Sequence, residues 1–281
     1  MLAPAARPLR SRTVVRTEER LSVASALTLR SLPRRVHRKL QRTAVALFRR
    51  KPLTINPARG LISFTFDDFP RSALSVGGTV LERHELRGTY YAALSLIGGE
   101  DHGHALMTEE DLAALHDRGH ELACHTYSHV NCRSLDRSRL EREFDENSRQ
   151  AVRFGTNDGF VSFSYPFGEV SLAAKSLASD RFATARGILP GINQGTVDLA
   201  ALLGNSLYGG MENVERALQL IEENERRRGW LVFYTHDVAE APSRYGCTPE
   251  HFAAVVEAAA DSACDVLTME RAYRTLAEAS A

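Results

Sequence analysis

The stretch LISFTFDD, residues 61–68, alternates apolar with small polar side chains and ends in two adjacent carboxylates, Asp67 and Asp68. Alternation with a period of two predicts a β-strand. Two neighbouring carboxylates repel each other, and a bound cation would relieve that repulsion. A turn or a helix cap would use the same residues, so the pair by itself leaves both interpretations open.

Outward from this strand, apolar strand-like segments alternate with helical segments as far as the C-terminus. The pattern predicts strands at 61–66, 88–93, 121–124, 160–165, 182–185, 230–235 and 266–267. Such alternation is typical of an α/β fold with a mainly parallel sheet, either open or closed into a barrel. The 281 residues suffice for one large domain of this kind and do not require a second.

The unusual polar residues share one position, because each follows the carboxyl end of a predicted strand. In chain order they are Asp67, Asp68, His125, the turn 166–168 and His236. In a parallel barrel these strand ends form one rim, and active sites are built there. The sequence therefore predicts that distant segments converge on one pocket.

His125 and His129 lie four residues apart in the segment HTYSH. On one helical turn, this spacing would place both imidazoles within reach of a single ion. Pairs of this kind also arise by chance, so a structural role remains an alternative. Together with Asp68 they would form a three-ligand set with open coordination positions, as in catalytic rather than structural zinc sites.

His236 directly follows the strongly apolar segment 230–235. A single histidine after a buried strand is often structural. Its unperturbed pKa of about 6.5 also suits the imidazole to act as a general acid near neutral pH. The position on the predicted rim favours the second interpretation.

The charge of the chain is unevenly distributed, although the totals of 35 basic and 35 acidic residues cancel. Residues 1–60 carry 15 Arg or Lys and only two acids, Glu18 and Glu19. We interpret residues 1–58 as a basic N-terminal tail and residues 59–281 as the catalytic domain. Within the tail, residues 36–50 could form a basic amphipathic helix on an anionic membrane surface, and a flexible tail is the alternative.

No segment approaches the roughly 18 apolar residues that span a bilayer. Arginines interrupt the N-terminal region, which lacks the apolar core of a signal peptide. We therefore expect a cytoplasmic protein that could contact the inner membrane face through its tail. The four cysteines, Cys124, Cys132, Cys247 and Cys264, form no CxxC pair, so we expect buried thiols rather than a zinc ribbon.

Four segments of the chain resemble successive motifs of one known family. They are TFDD (65–68), HTYSH (125–129), FSYPFG (163–168) and LVFYTH (231–236). In this order they resemble the polysaccharide deacetylases, also called the NodB-homology or chitooligosaccharide deacetylase-like family. The resemblance covers about residues 61–276. It implies a distorted (β/α) barrel in a single catalytic domain and hydrolysis of N- or O-acetyl groups on a sugar polymer.

The resemblance also implies a role for each site residue. Asp68, His125 and His129 would bind one divalent metal, usually Zn²⁺, with Co²⁺, Ni²⁺ or Mn²⁺ as alternatives. Asp67 would be the general base and His236 the general acid. The expected partner is an acetylated oligo- or polysaccharide, free or lipid-linked, and no nucleic-acid partner is expected.

The chain departs from the family pattern at several positions. Ser164 stands where the family usually has an arginine that tethers the base, and Arg186, after the following strand, is our candidate substitute. Phe167 replaces the motif tyrosine but keeps a backbone N–H that could stabilise an oxyanion. Together with Phe167 and Arg186, Tyr165 is a candidate for binding the substrate or the oxyanion, or for orienting the base. Phe69 replaces a small glycine, which predicts a tighter loop.

Three alternatives to an active deacetylase remain open. They are a degenerate member that binds glycan or metal only, a hydrolase of a non-sugar amide C–N bond, and an iron oxygenase with two histidines and one carboxylate. The missing motif arginine keeps the first alternative open, and the strand-end aspartate pair argues against the last. The carboxylate that would orient His236 is not evident, with Asp198 and Asp237 as candidates.

Overall fold

The computed structural model describes residues 48–279. In chain order the strands are β1 Pro52–Ile55, β2 Leu61–Phe66, β3 Thr89–Ala92, β4 Glu100–Asp101, β5 His104–Ala105, β6 Glu121–Cys124, β7 Ser162–Ser164, β8 Thr184–Arg186, β9 Gly195–Asp198, β10 Asn205–Ser206, β11 Trp230–Thr235 and β12 Asp265–Val266. The α-helices are α1 Thr79–Glu82, α2 Glu109–Asp117, α3 Arg137–Ala151, α4 Leu172–Arg181, α5 Met211–Arg227, α6 Pro249–Asp261 and α7 Met269–Glu278. A π-helical segment, Ala73–Gly78, leads into α1.

The central sheet is parallel and runs in the order β10-β11-β2-β3-β6-β7-β8, with β12 also paired to β2. Its two outer strands are joined through one segment, residues 199–206. Leu202 donates its N–H to Ala185 O at 2.8 Å and accepts from Gly187 N–H at 2.9 Å. The same segment continues into β10, which pairs with β11. The sheet is therefore curled into a distorted (β/α) barrel, and the predicted fold class is confirmed.

Strand β2 is buried on both faces, which explains its composition. Phe64 and Phe66 point outward and pack on Phe252 of α6, with ring centroids 5.7 and 5.6 Å apart. Ser63 points into the barrel and accepts a hydrogen bond from Trp230 Nε1 at 3.0 Å. The bulky residues thus meet the helices, and the small polar ones fit the narrow interior of the barrel.

Helix α7 closes the amino-terminal end of the barrel, which we call the base. Met269 donates its N–H to Thr89 Oγ1, and Glu270 donates its N–H to Glu121 Oε2, both at 2.9 Å. Thr89 and Glu121 are the first residues of β3 and β6. The first turn of the helix therefore finds acceptors inside the barrel for N–H groups that have no partner within the helix.

The folded domain begins earlier than the sequence indicated. Strand β1 pairs antiparallel with β9, and Lys51 donates its N–H to Asp198 Oδ1 at 3.0 Å. Residues 52–58 were predicted as part of the tail, yet this pairing anchors them to the domain. Of the amphipathic helix predicted at 36–50, residues 36–47 lie outside the described range, and residues 48–50 are not helical.

No helix within residues 48–279 is long and apolar enough to cross a bilayer. All four cysteines are buried free thiols, as expected.

Candidate active site

The candidate site lies at the carboxyl rim of the barrel and begins where β2 ends. Asp67 donates its N–H to Thr235 O at 2.9 Å, so the Asp pair stays aligned with the end of β11. The next two residues turn sharply, because Asp68 and Phe69 both have left-handed backbones with φ of 61° and 51°. The Phe69 ring is fully buried beside Tyr90, with centroids 4.9 Å apart. Its burial offsets a conformational cost of about 1–2 kcal/mol that glycine would avoid.

His125 follows β6 and is oriented by the neighbouring strand. Its Nδ1 lies 2.8 Å from Ser164 O. Because a carbonyl can only accept, Nδ1 is the donor in this contact, and Nε2 is the nitrogen that faces Asp68. Nε2 lies 3.3 Å from Asp68 Oδ1. This backbone contact is the kind of second-layer support that orients a metal-binding imidazole.

His129 reaches the same carboxylate by a route that the sequence did not predict. The segment 125–129 is not a helical turn, because Thr126 and His129 have left-handed φ values of 62° and 49°. Glu143 on α3 accepts hydrogen bonds from Tyr127 N–H at 3.1 Å and Ser128 N–H at 2.8 Å. The resulting loop places His129 Nε2 3.1 Å from Asp68 Oδ1.

Asp68, His125 and His129 offer ligand atoms that all lie within 4.8 Å of one another. Asp68 Oδ1 is buried and has no hydrogen-bond donor. Burial would raise the pKa of Asp68, but the contact with His125 and the charges of His125, His129 and His236 lower it well below its ordinary value. A buried, ionised oxygen without a donor beside two imidazole nitrogens fits the divalent metal that the motifs imply.

Asp67 is held by an arginine inside the barrel. Arg186, at the end of β8, is fully buried and donates from Nη2 to Asp67 Oδ1 and, at 2.7 Å, to Ser164 Oγ. The rings of Tyr91 and Tyr234 flank its guanidinium at 5.2 and 4.6 Å. Burial would raise the pKa of Asp67, but Arg186, with smaller contributions from two histidines, lowers it below its ordinary value.

The register of the sheet explains how Arg186 reaches this position. Ser164 on β7 and Arg186 on β8 are direct partners in the parallel pairing. Neighbouring strands lie about 4.8 Å apart, so an arginine on either strand can reach the same carboxylate. The small Ser164 side chain accepts a hydrogen bond from the guanidinium instead of competing for its space.

His236 follows β11 and approaches Asp68, which His125 and His129 also approach. Its Nε2 lies 3.6 Å from Asp68 Oδ2, and its Nδ1 is buried without a hydrogen-bond partner. Neither candidate carboxylate orients it. Asp198 forms an ion pair with Lys175 at 2.7 Å, and Asp237 accepts hydrogen bonds from Ser243. Neither of the two candidates named from the sequence therefore orients the His236 ring.

Two aromatic residues in the turn after β7, Tyr165 and Phe167, differ in their exposure. Phe167 has a left-handed φ of 59° and is 58% exposed, with its ring 4.5 Å from that of His129. Tyr165 is buried instead, and its hydroxyl donates to Ala200 O at 2.8 Å. The side chain of Tyr165 therefore contacts the core and not the candidate site to which it was assigned, because the strand directs alternate residues to opposite faces.

Two tyrosines contact site residues without having been predicted to do so. Tyr234 lies over the Arg186 guanidinium, and Tyr245 stacks on His236 with centroids 5.2 Å apart. Tyr234 belongs to the motif 231–236 and lies two residues before His236. Since residues two apart in a strand face the same side, the sequence could have placed the Tyr234 side chain near the site. Tyr245 lies in an irregular loop, and no local pattern marks it.

Paired aspartates and histidines thus lie at the carboxyl rim of a distorted (β/α) barrel. This is the position at which parallel barrels carry their active sites. Residues 54–182 match the polysaccharide deacetylase family. This match includes the first three motifs and confirms the resemblance to that family that was drawn from them. No curated protein matches the sequence.

Solved structures with a similar fold include three deacetylases or esterases. A polysaccharide deacetylase from Mycobacterium smegmatis is 14% identical, with a TM-score of 0.59 over 83% of this chain and 96% of that one. A family 4 acetyl xylan esterase from Clostridium thermocellum, in complex with a cobalt ion, is 16% identical, with a TM-score of 0.55 over 76% and 90%. The chitin deacetylase from Colletotrichum lindemuthianum is 14% identical, with a TM-score of 0.52 over 76% and 88%. At these identities the likeness supports the fold.

Proposed function

We propose that this protein is a metal-dependent hydrolase that removes N- or O-acetyl groups from a carbohydrate and releases acetate. The observation that carries the proposal is the convergence of three functions on one rim. The ligand group of Asp68, His125 and His129 is next to a buried carboxylate, Asp67, and a third histidine, His236, whose Nε2 lies 3.6 Å from Asp68 Oδ2. The match of residues 54–182 to the polysaccharide deacetylase family supports a carbohydrate as the substrate.

The ligand group would hold one divalent ion through Asp68 Oδ1 and the Nε2 atoms of His125 and His129. When bound, the ion would polarise the acetyl carbonyl and make water more acidic. We expect Zn²⁺, since two imidazoles and a carboxylate suit it, with Co²⁺, Ni²⁺ or Mn²⁺ as alternatives. The cobalt ion bound to the Clostridium thermocellum esterase supports a divalent metal in this fold.

Asp67 is the proposed general base. Arg186 keeps one of its oxygens occupied and its charge balanced, so the carboxylate is ionised and fixed in orientation. It accepts a proton from water while the water oxygen attacks the carbonyl carbon. The same contact supports an active enzyme over a degenerate protein, because Arg186 supplies the guanidinium that Ser164 lacks.

His236 is the proposed general acid. As the C–N or C–O bond of the tetrahedral intermediate breaks, the imidazole donates its proton to the leaving amine or alcohol. The products are acetate and the deacetylated sugar. We propose that the Phe167 backbone N–H stabilises the oxyanion, because the turn places this residue beside His129.

The function can be tested by measuring acetate release from a panel of N- and O-acetylated glycans. We expect release with added zinc, loss of release after treatment with a chelator, and recovery when zinc is restored. Release that persists in metal-free protein would contradict the metal dependence. Release from a small cyclic amide but from no glycan would instead support the amide-hydrolase alternative, and oxygen consumption without hydrolysis would support the oxygenase.

Membrane contact is a separate proposal that rests on the basic composition of residues 1–60. We propose a cytoplasmic protein that meets an anionic lipid surface, and lipid-linked glycans as one form of its substrate. Full-length protein should co-sediment with phosphatidylglycerol vesicles, and a chain that begins at residue 48 should not. This truncation spares Lys51 and β1, which belong to the folded domain. Equal binding by both proteins would contradict the proposal.

A further inference from the structure

The proposed general acid lacks the partner that an imidazole in this role usually has. His236 presents Nε2 to the ligand group, yet its Nδ1 is buried and accepts or donates no hydrogen bond. In other catalytic histidines a carboxylate or carbonyl on the second nitrogen fixes the ring and its tautomer. Within residues 48–279, no such group contacts His236 Nδ1, so another contact must restrict the ring.

Tyr245 makes that contact with both its ring and its backbone. Its ring is stacked on the His236 imidazole, with centroids 5.2 Å apart and planes 29° apart. Its carbonyl accepts the His236 N–H at 3.1 Å and the Thr235 hydroxyl at 3.3 Å. The Tyr245 backbone is therefore hydrogen-bonded to the end of β11, and this contact keeps the Tyr245 ring next to the His236 ring.

The loop that carries Tyr245 is fixed by Asp237. The Asp237 carboxylate accepts from Ser243 N–H at 2.8 Å and from its hydroxyl at 2.5 Å, and Asp237 O accepts from Cys247 N–H at 3.1 Å. At Gly246, any side chain would clash with the same carboxylate. Asp237 thus acts on His236 indirectly, by holding the loop that holds Tyr245.

The β4–β5 hairpin supports this arrangement from the other side. Its turn is formed by His102 and Gly103, with left-handed φ values of 49° and 81°. The His102 ring lies 5.0 Å from that of Tyr245, and His104 Nε2 lies 3.4 Å from Asp237 Oδ2. The Arg244 guanidinium also lies over the Tyr245 ring, at 4.6 Å. Tyr245 is therefore half-buried and contacted by several neighbours, so it can serve as a rigid surface for His236.

We propose that Tyr245 is a positioning residue for His236, and that its ring does by stacking what a carboxylate on Nδ1 would do by hydrogen bonding. The inference rests on the proposed function, in which His236 protonates the leaving group. The Tyr245 hydroxyl takes no part in the reaction. Loss of the flat ring should let the imidazole rotate and lower the rate of leaving-group protonation by about tenfold, the upper range for one aromatic pair.

Two variants and two substrates test this role. Tyr245→Phe keeps the ring, whereas Tyr245→Leu keeps bulk and loses the stacking surface. N-acetylated chitooligosaccharide has a leaving amine that needs a proton, and 4-nitrophenyl acetate has a leaving phenolate that does not. We expect the Leu variant to lose about tenfold in kcat on the glycan, with KM and the ester rate little changed. The Phe variant should match the wild type on both substrates.

Other outcomes would overturn the proposal. A Phe variant as impaired as the Leu variant would assign the role to the hydroxyl. Equal losses on both substrates would indicate a general structural defect. If the Leu variant fails to fold, His102→Ala should show a smaller loss of the same kind, on the glycan only, and unchanged glycan activity in this variant would contradict the stacking argument.

A readout independent of activity separates this inference from the proposed function. If the wild type releases acetate from no substrate, the proposed function fails, and the positioning is decided by NMR. The ring current of Tyr245 should displace the His236 Cε1–H resonance in the wild type and the Phe variant, but not in the Leu variant. Identical resonances in all three proteins would overturn the inference.

Discussion

The two ends of the barrel use the same unusual backbone conformation for different purposes. At the base, left-handed residues such as Glu85 and Arg228 terminate helical segments, which is an ordinary use of this conformation. At the rim, left-handed residues include Asp68, His129 and Phe167, which are candidate ligands or oxyanion residues. Strain at the base therefore serves chain reversal, and strain at the rim serves the orientation of functional groups.

The two ends also differ in whether their buried polar groups have hydrogen-bond partners. At the base, Thr89 and Glu121 accept the first N–H groups of α7, and the helix buries Met269 and Leu276. At the rim, Asp68 Oδ1 is left without a donor. The comparison predicts that changes at the rim affect activity more than stability and that changes at the base do the reverse.

Asp68→Asn should have the largest effect. An amide is a poor ligand for zinc, so we expect loss of bound metal and a fall in acetate release exceeding the roughly 100-fold typical of outer-layer ligand supports. Metal content by mass spectrometry and kcat measure the two effects. Asp67→Asn is the matched control and should lose activity while it retains metal. An Asp68 variant that keeps both metal and activity would contradict the assignment.

Arg186→Ala should affect activity and stability together, because Arg186 reaches the rim from inside the barrel. Its loss leaves Asp67 buried without a counter-charge, which costs about 3–5 kcal/mol in unfolding free energy. We expect acetate release to fall by about 100-fold, since the base loses its orientation. Urea unfolding and kcat measure the two effects.

Relocation of the arginine provides the control for this prediction. In the double variant Ser164→Arg/Arg186→Ser, the neighbouring strand should return a guanidinium to Asp67 and restore part of the activity. Full activity and an unchanged pH profile in Arg186→Ala would refute the positioning role.

Met269→Ala should affect stability alone. The side chain is fully buried at the base, and its truncation should cost about 2–5 kcal/mol in unfolding free energy. Acetate release by the folded fraction should be unchanged. Met211→Ala is the matched control, since Met211 is 55% exposed and should tolerate the same change. A lower kcat for Met269→Ala at temperatures where it is folded would show that the two ends are coupled.

Glu121→Gln should have the smallest effect and depends on pH. Burial raises the pKa of Glu121 above its ordinary value. A carboxyl group with a raised pKa in the folded state costs stability once the pH rises above the unfolded pKa of about 4.3. The Gln variant should therefore have a higher Tm than the wild type at pH 7 and the same Tm at pH 4. A lower Tm at pH 7 would show that the ionised carboxylate stabilises α7.

The strands that carry the site were predictable because burial on both faces leaves a continuous local pattern. Strands 61–66, 121–124 and 230–235 were predicted with the bounds that the structure shows. The short strands of the hairpin at 100–105 were not predicted, because two strands of two residues each leave no periodic signal. The His125 and His129 pair was predicted on a helical turn, a geometry that two left-handed residues exclude.

The sequence by itself determined which residue types follow the buried strands and in what order, and this order identified the family and the candidate ligands. Only the tertiary structure decided which groups support them. Arg186 meets Asp67 because of the register between β7 and β8, and Tyr245 meets His236 because Asp237 fixes a loop. Local patterns follow from the burial of neighbouring residues, whereas these contacts join residues far apart in the chain or in irregular loops, where no periodicity exists to record them.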